Sequence, residues 1–174
     1  IKSQNFLSLA ISKQGDVIAI NSSGDLIKAN GTRGNIDWSI NISGSSYVDA
    51  TDFFKSSEVV IFDDDIIFST KFSIFSYNLN DGLFNWMQNV NSAGPPIIDR
   101  DNIFLVTDNG YFIILNKGTG KIISANNILK ILKKKKQKTR ITGYIMGSGK
   151  FYSVTLNGYL IVSSATSGKV ESFI

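Results

Sequence analysis

The sequence predicts an all-β fold, built as β-propeller blades of four antiparallel strands, with four blades in the chain. Three observations lead there. Turns recur at a near-regular interval along the 174 residues. Each interval holds four short apolar segments. The two middle segments, as in Ile103-Phe104-Leu105-Val106 and Phe112-Ile113-Ile114-Leu115 of the third set, run apolar at successive positions, which implies burial on both faces, since a strand with one wet face alternates.

The recurrence is clearest from four glycines, Gly34, Gly82, Gly120 and Gly168, spaced 48, 38 and 48 residues apart. Each follows a small polar cluster, such as Gly31-Thr32-Arg33 or Ala165-Thr166-Ser167. Two residues on come Ile36, Phe84, Ile122 and Val170; four on come Trp38, Trp86, Ser124 and Ser172. Ten residues before each glycine is a turn position held by Gly24, Phe72, Gly110 and Gly158. Upstream of that turn, without gaps, align Ile11, Val59, Ile97 and Ile145, then Ile18, Ile66, Phe104 and Tyr152, then Ile20, Phe68, Val106 and Val154.

Each copy therefore has four segments, a to d. In the third they fall near Pro96–Ile98, Asn102–Thr107, Tyr111–Asn116 and Lys121–Ala125. Thr107-Asp108-Asn109-Gly110 joins two apolar runs, and its Asn-Gly reads as a hairpin signal with positive φ at both residues. Four short strands in about 40–45 residues is the arithmetic of a propeller blade, stacked face to face with its neighbours. A β-sandwich is the main rival fold, but it gives no reason for column-by-column repetition. The repeats run at about 6–42, 55–90, 94–126 and 141–174 of a single propeller segment, 1–174. Complete rings of seven or eight blades need roughly twice this length. The chain is then part of a larger propeller, or a homodimer completes an eight-bladed ring.

Composition narrows the chemistry. There is no Cys and no His, which removes disulfides, thiolate sites and the commonest general base and metal ligand. No apolar run approaches the eighteen or so residues that span a bilayer. The net charge of +4 is local: Lys130, Lys133, Lys134, Lys135, Lys136, Lys138 and Arg140 lie within eleven residues, and the rest of the chain sums to −3.

Asp63-Asp64-Asp65 invites a metal or acid–base role, yet it sits where the other copies have tight turns and reads as a turn. Gly118-Thr119-Gly120 and Gly147-Ser148-Gly149 lead into no helical pattern that could hold an anion, and read as turns too. Asn127–Leu132 has a spacing compatible with one or two helical turns.

Between segment d and the next segment a, the first and third junctions have 20 intervening residues and the second has 10. In a four-stranded antiparallel blade this connection leaves from the same end as the b-to-c turn. Two long loops therefore rise from one face, and long loops on repeat proteins decorate the binding face. One carries Tyr47, Phe53 and Phe54; the other carries Lys133, Lys134, Lys135 and Lys136. The plain reading of the lysines is a solvated loop. The functional readings are an acidic partner surface or anionic lipid head groups. No nucleic acid is expected, because no aromatics interleave with the lysines.

The segment-d motifs carry a resemblance. Gly34-Asn35-Ile36-Asp37-Trp38, Gly82 to Trp86, Thr119-Gly120-Lys121 and Ser167-Gly168-Lys169 resemble the PQQ-like repeat, whose blades end in a turn, Thr-Gly-Lys, an apolar residue and usually Trp. The resemblance covers Phe6 to Phe173. Within that family the basic loop at Leu129–Arg140, the stretch Ile141–Gly147 and Asn157–Leu160 are similar to the BamB group of outer-membrane β-barrel assembly factors. That resemblance implies a non-catalytic, protein-binding scaffold in the periplasm, at the inner face of the outer membrane. It implies partners in the barrel-assembly machinery and among unfolded outer-membrane proteins, no cofactor, and a lipid anchor not within this chain. Quinone-dependent dehydrogenases share the repeat, and a fragment of one is the enzymatic alternative. Their sites use acidic and amide metal ligands, stacking Trp residues and commonly a vicinal disulfide, which this chain cannot form. A generic sensor or adhesin propeller is the third reading. Trp38 and Trp86 take the repeat's packing position and, with Gly34, Gly82, Gly110, Gly120, Gly158 and Gly168, are expected to be structural.

Overall fold

The computed structural model describes residues 8–42, 57–132 and 139–174. Its strands form four antiparallel sheets of four, the blades of a β-propeller. The first sheet holds β1 (Ser8–Ile11), β2 (Val17–Ile20), β3 (Asp25–Ala29) and β4 (Ile36–Asn41). The second holds β5 (Val60–Phe62), β6 (Asp65–Ser69), β7 (Ile74–Asn78) and β8 (Phe84–Gln88). The third holds β9 (Ile97–Asp99), β10 (Asn102–Val106), β11 (Tyr111–Asn116) and β12 (Ile122–Asn127). The fourth holds β13 (Ile141–Gly147), β14 (Lys150–Thr155), β15 (Leu160–Ser164) and β16 (Val170–Phe173). Order within each sheet follows the chain, so every pairing is a hairpin.

Two compact units divide the chain, Ile1–Met87 and Gln88–Ile174. In the first, Ile18, Ile20 and Leu26 of one sheet pack with Ile66, Phe68 and Phe75 of the next. In the second, Phe104, Val106 and Phe112 pack with Phe151 and Ile161. Strands β6, β7, β10 and β11 are buried on both faces, as their unbroken apolar runs predict; β2 and β14 are buried on one face only.

The c-to-d turns explain the four anchor glycines. In each, the residue four before the glycine (Asn30, Asn78, Asn116 or Ser164) accepts a backbone hydrogen bond from that glycine at 2.8–3.0 Å. The same side chain accepts from amides two or three residues on: Asn30 Oδ1 from Thr32 and Arg33, Asn78 Oδ1 from Asn80 and Asp81, Asn116 Oδ1 from Thr119, Ser164 Oγ from Ser167. This is a side-chain-stapled turn closed by a residue in the left-handed region.

Two expectations change. The hairpin at Asn109-Gly110 is a three-residue loop in which Thr107 N donates to Tyr111 O and Gly110 N donates to Thr107 O, as the segment bounds imply, but of the two named residues only Gly110 has positive φ, at 77°. The gapless alignment also fails in the second sheet. There the b-to-c loop is the shorter Lys71-Phe72, because Thr70 N donates to Ser73 O. Val60 pairs with Ile67 and Asp65 with Asn78, where the third sheet pairs Ile97 with Phe104 and Asn102 with Asn116. Ile67, not Ile66, therefore shares its face with Ile18, Phe104 and Tyr152, and Val60, not Val59, stands in the column of Ile97. In the first sheet that column belongs to Ala10, which pairs with Ile18.

Tyr144 of β13 ties its sheet to the segment before β9. Its hydroxyl lies 2.5 Å from Ser92 Oγ, 3.0 Å from the Gly94 carbonyl and 2.9 Å from the Pro95 carbonyl, while its ring packs at a tilt of 31° against Phe151. Burial is the main force raising its pKa above the ordinary tyrosine value, and it outweighs the opposing hydrogen bonds from Ser92 and Val106. The neutral form is thus the one the fold stabilises. That stability is complete below the unfolded value near pH 10 and is lost as pH climbs beyond it. In an alkaline unfolding series, Tyr144→Phe should cost about 1–2 kcal/mol at neutral pH yet lose less than the parent above about pH 10. Equal alkaline slopes would remove Tyr144 from the account. Tyr77, also raised by burial, keeps some slope in both proteins.

Candidate interaction face

In the second unit the connection from β12 to β13 begins with Asn127, whose Oδ1 accepts from Leu129 N, and makes one turn of 3-10 helix at Ile128–Ile131. The spacing of Asn127–Leu132 is compatible with this turn but too short to predict it. Ile128 N donates to Gly110 O at 2.9 Å. Ile128, Leu129 and Leu132 are 5% exposed or less, and so is Ile141 at the far stem. Beside that stem, Leu156 N of the next b-to-c turn donates to Arg140 O at 2.9 Å. The b-to-c turns and the basic connection therefore share one end of these sheets. Lys130 and Arg140 are exposed on the two stems, with the apolar Tyr111, Ile131 and Leu156 exposed at 44%, 43% and 60%. Lys133, Lys134, Lys135 and Lys136 lie between these stems, outside the described residues.

The first unit repeats the device. Ile42 N donates to Gly24 O at 2.8 Å and Ile42 is buried, so this long connection also departs past a b-to-c glycine. Its far stem is held by Val59 N, which donates to Ser8 Oγ at 2.7 Å. Tyr47, Phe53 and Phe54 lie outside the described residues. Gly24 and Ile42 stand 86 positions before Gly110 and Ile128, so the launching hydrogen bond belongs to a two-sheet repeat. At the remaining turn of this unit Phe72 is 60% exposed, with Lys71 Nζ 5.1 Å from its ring centre. Sequence reasoning recorded Phe72 only as the exception in a glycine column.

The structural positions serve packing. Trp38 Nε1 donates to Leu79 O at 3.2 Å and its ring lies so close over Gly82 that a Cβ there would stand 2.9 Å from Cε3. In the second unit Asn126 plays that part, donating through Nδ2 to Ser167 O beside Gly168. Trp86 is buried. Gly34, Gly120 and Gly168 close c-to-d turns, and Gly158 closes a b-to-c turn.

Asp63-Asp64 forms the turn of the β5–β6 hairpin, where Phe62 pairs with Asp65. Asp64 and Asp65 accept from Asn80 and Asn85. Ser148-Gly149 is a hairpin turn with positive φ at both residues. Among the described residues no three acidic side chains converge as a metal site.

A feature no motif announced is a cleft of about 520 Å³ in the second unit, at the a-to-b and c-to-d turns. Phe104, Ile114 and Met146 line it together with Arg100, Ser148 and Thr166. In the first unit the positions 86 residues earlier hold ions instead: Lys28 Nζ is 3.2 Å from Asp16 and 3.9 Å from Asp37. Those three correspond to Ile114, Asn102 and Ile123. A swap of charged for neutral residues in aligned columns was the available signal.

No curated protein matches the sequence. Among solved structures, BamB from Moraxella catarrhalis superposes with a TM-score of 0.74 at 17% identity, over 99% of this chain and 54% of that one. The β-propeller domain of Cps50 (Swd1) from Myceliophthora thermophila gives 0.73 at 8% identity, over 100% and 56%. The computationally designed Ika4 protein gives 0.66 at 12%, over 94% and 93%. The chain thus spans about half the length of the BamB structure, and at these identities the likeness is one of fold. The family model described as outer membrane protein assembly factor BamB matches residues 3–126. By that match, the chain belongs to the family of the outer membrane protein assembly factor BamB.

Proposed function

We propose that the chain is a non-catalytic scaffold in outer-membrane β-barrel assembly, working in the periplasm at the inner face of the outer membrane. It docks an acidic protein surface on the end of the sheets that carries the b-to-c turns and the basic connection. The observation that carries this reading is the pair of stems at Leu132 and Ile141, both 2% exposed. The buried ends fix where the connection leaves the sheets, beside the exposed Lys130 and Arg140. Six lysines and one arginine between residues 130 and 140 create an attraction that reaches about 8–10 Å before salt screens it, and attraction of this kind chiefly speeds encounter. Tyr111, Ile131 and Leu156 then supply apolar contact around the charge.

The test is a pull-down and kinetic titration against the periplasmic domains of the barrel-assembly machinery. Changing Lys133, Lys134, Lys135 and Lys136 to Glu is expected to slow association about tenfold or more at low salt, with the unfolding midpoint unchanged. Absence of binding by the parent chain sinks the proposal. Capture on anionic vesicles, lost with the same four changes while protein binding persists, would transfer the lysines to lipid. Saturable uptake of PQQ with calcium, followed by absorbance, would overturn the non-catalytic reading.

A further inference from the structure

The cleft of about 520 Å³ in the second unit stands where the first unit seats a tryptophan. In the first sheet one row crosses three strands, Ile18 paired with Lys28 and Lys28 with Trp38. The indole of Trp38 reaches the c-to-d turn of the second sheet and donates to Leu79 O at 3.2 Å. In the third sheet the same row reads Phe104, Ile114 and Ser124, and the carbonyl at Leu79's position in the fourth belongs to Ala165. Three exchanges therefore converge: Trp to Ser, Leu to Ala, and a lysine held by two carboxylates to Ile. The third sheet lines the cleft with Phe104 and Ile114, the fourth with Met146, Ala165 and Thr166. Both sheets share one core, so the cleft belongs to a single unit. Asn126 turns instead to Ser167 O, and among the described residues no side chain donates to Ala165 O. The acceptor that takes an indole N–H in one unit lacks that donor in the other.

We infer that this cleft takes a tryptophan side chain from a partner polypeptide, its ring between Ile114 and Ala165 and its N–H on Ala165 O. The lip favours a peptide over a bare aromatic molecule. Arg100 and Asn102 offer donors there, Asp99 an acceptor, and Ser148 and Thr166 hydroxyls that serve as either. Such a mixture suits the N–H and C=O groups that flank a side chain on a peptide. Size agrees, because sites for small groups span about 300–1,000 Å³. A buried indole removes about 150–250 Å² from water, so the isolated amino-acid amide should bind with a Kd on the order of 0.1–1 mM. This end of the sheets lies opposite the basic connection, and the seat does not depend on the assembly role.

The chain has two methionines, Met146 in the cleft and Met87 in the first unit. In NMR of the whole chain with isotope-labelled methionine methyls, added N-acetyl-tryptophanamide should shift Met146 by its ring current and leave Met87 in place. N-acetyl-phenylalaninamide, which has no ring N–H, should bind about 3–10-fold more weakly. Ser124→Trp should abolish binding by supplying the chain's own indole. Ala165→Leu, which puts the first unit's residue into the cleft, should weaken binding about tenfold with circular dichroism unchanged. A Met146 signal that stays put at about 10 mM ligand, well above the expected Kd, overturns the inference. Equal movement of both methionines does so too, as does full binding by Ser124→Trp. Free indole binding as tightly as N-acetyl-tryptophanamide would show a small-molecule site and overturn the assignment to a polypeptide. None of these results bears on the binding of assembly-machinery domains, which is measured separately.

Discussion

Phe151→Ala is expected to cost the second unit about 3–5 kcal/mol, a large share of the ~5–15 kcal/mol that holds an ordinary domain. Phe151 is fully buried on β14, its ring centre 4.3 Å from Phe112 and 5.2 Å from Tyr144. Phe112 in turn stacks on Phe104 at 6.3 Å. Truncation removes the middle of this aromatic column, and strands locked in hydrogen-bonded ladders cannot collapse into the space. Hydrogen exchange at the amides of β10 and β14 measures the loss within the second unit. Phe151→Leu, which keeps most of the volume, should cost less than about 1.5 kcal/mol. A Phe151→Ala loss under about 1 kcal/mol would mean that the column does not hold the two sheets together.

Gly110→Ala should cost about 3 kcal/mol or more, against about 1–2 kcal/mol for Gly158→Ala. Both glycines close b-to-c turns at positive φ, 77° and 81°, so both variants bear the same left-handed penalty. They differ in surroundings. A Cβ on Gly110 would stand 2.3 Å from Leu129 Cγ, while one on Gly158 meets nothing within 4 Å. Leu129 is wedged in the core, and moving it strains the hydrogen bond from Ile128 N to Gly110 O that launches the basic connection. Exchange protection at the Ile128 amide should fall in Gly110→Ala and hold in Gly158→Ala. Equal stability losses would show that the Leu129 contact yields without cost, and that the connection's stem is looser than its burial implies.

The blades were legible because their turns are chemical necessities. A small polar cluster ahead of a recurring glycine can be read from letters alone, and so can an apolar run too long to alternate. The strand offset in the second sheet was not legible. Its b-to-c loop is one residue short, the β5–β6 hairpin as a whole sits one residue later, and the connection before it is one residue longer, so the spacing between anchors is unchanged. Only the pairing of Val60 with Ile67 exposes it. The backbone of Asn109 was misjudged for a related reason: the dipeptide is compatible with positive φ at both residues, and the choice belongs to the three-residue loop closed by Thr107 and Tyr111. At the proposed interaction face, the sequence showed the lysines and the shared end of the sheets. It could not show the buried stems, since Leu129 and Leu132 become core residues only when Gly110 comes to meet them from across the sheet.

The strict chain order within each sheet bears on how this protein comes into being. Every ladder joins neighbours in sequence, so each closure spans only a few residues and its entropic cost is small. Local pairings of this kind form quickly. A sheet can assemble as soon as its last strand leaves a narrow exit, without waiting for a distant segment to arrive. Such a chain suits delivery as a thread, end first, because the order of emergence is also the order of assembly.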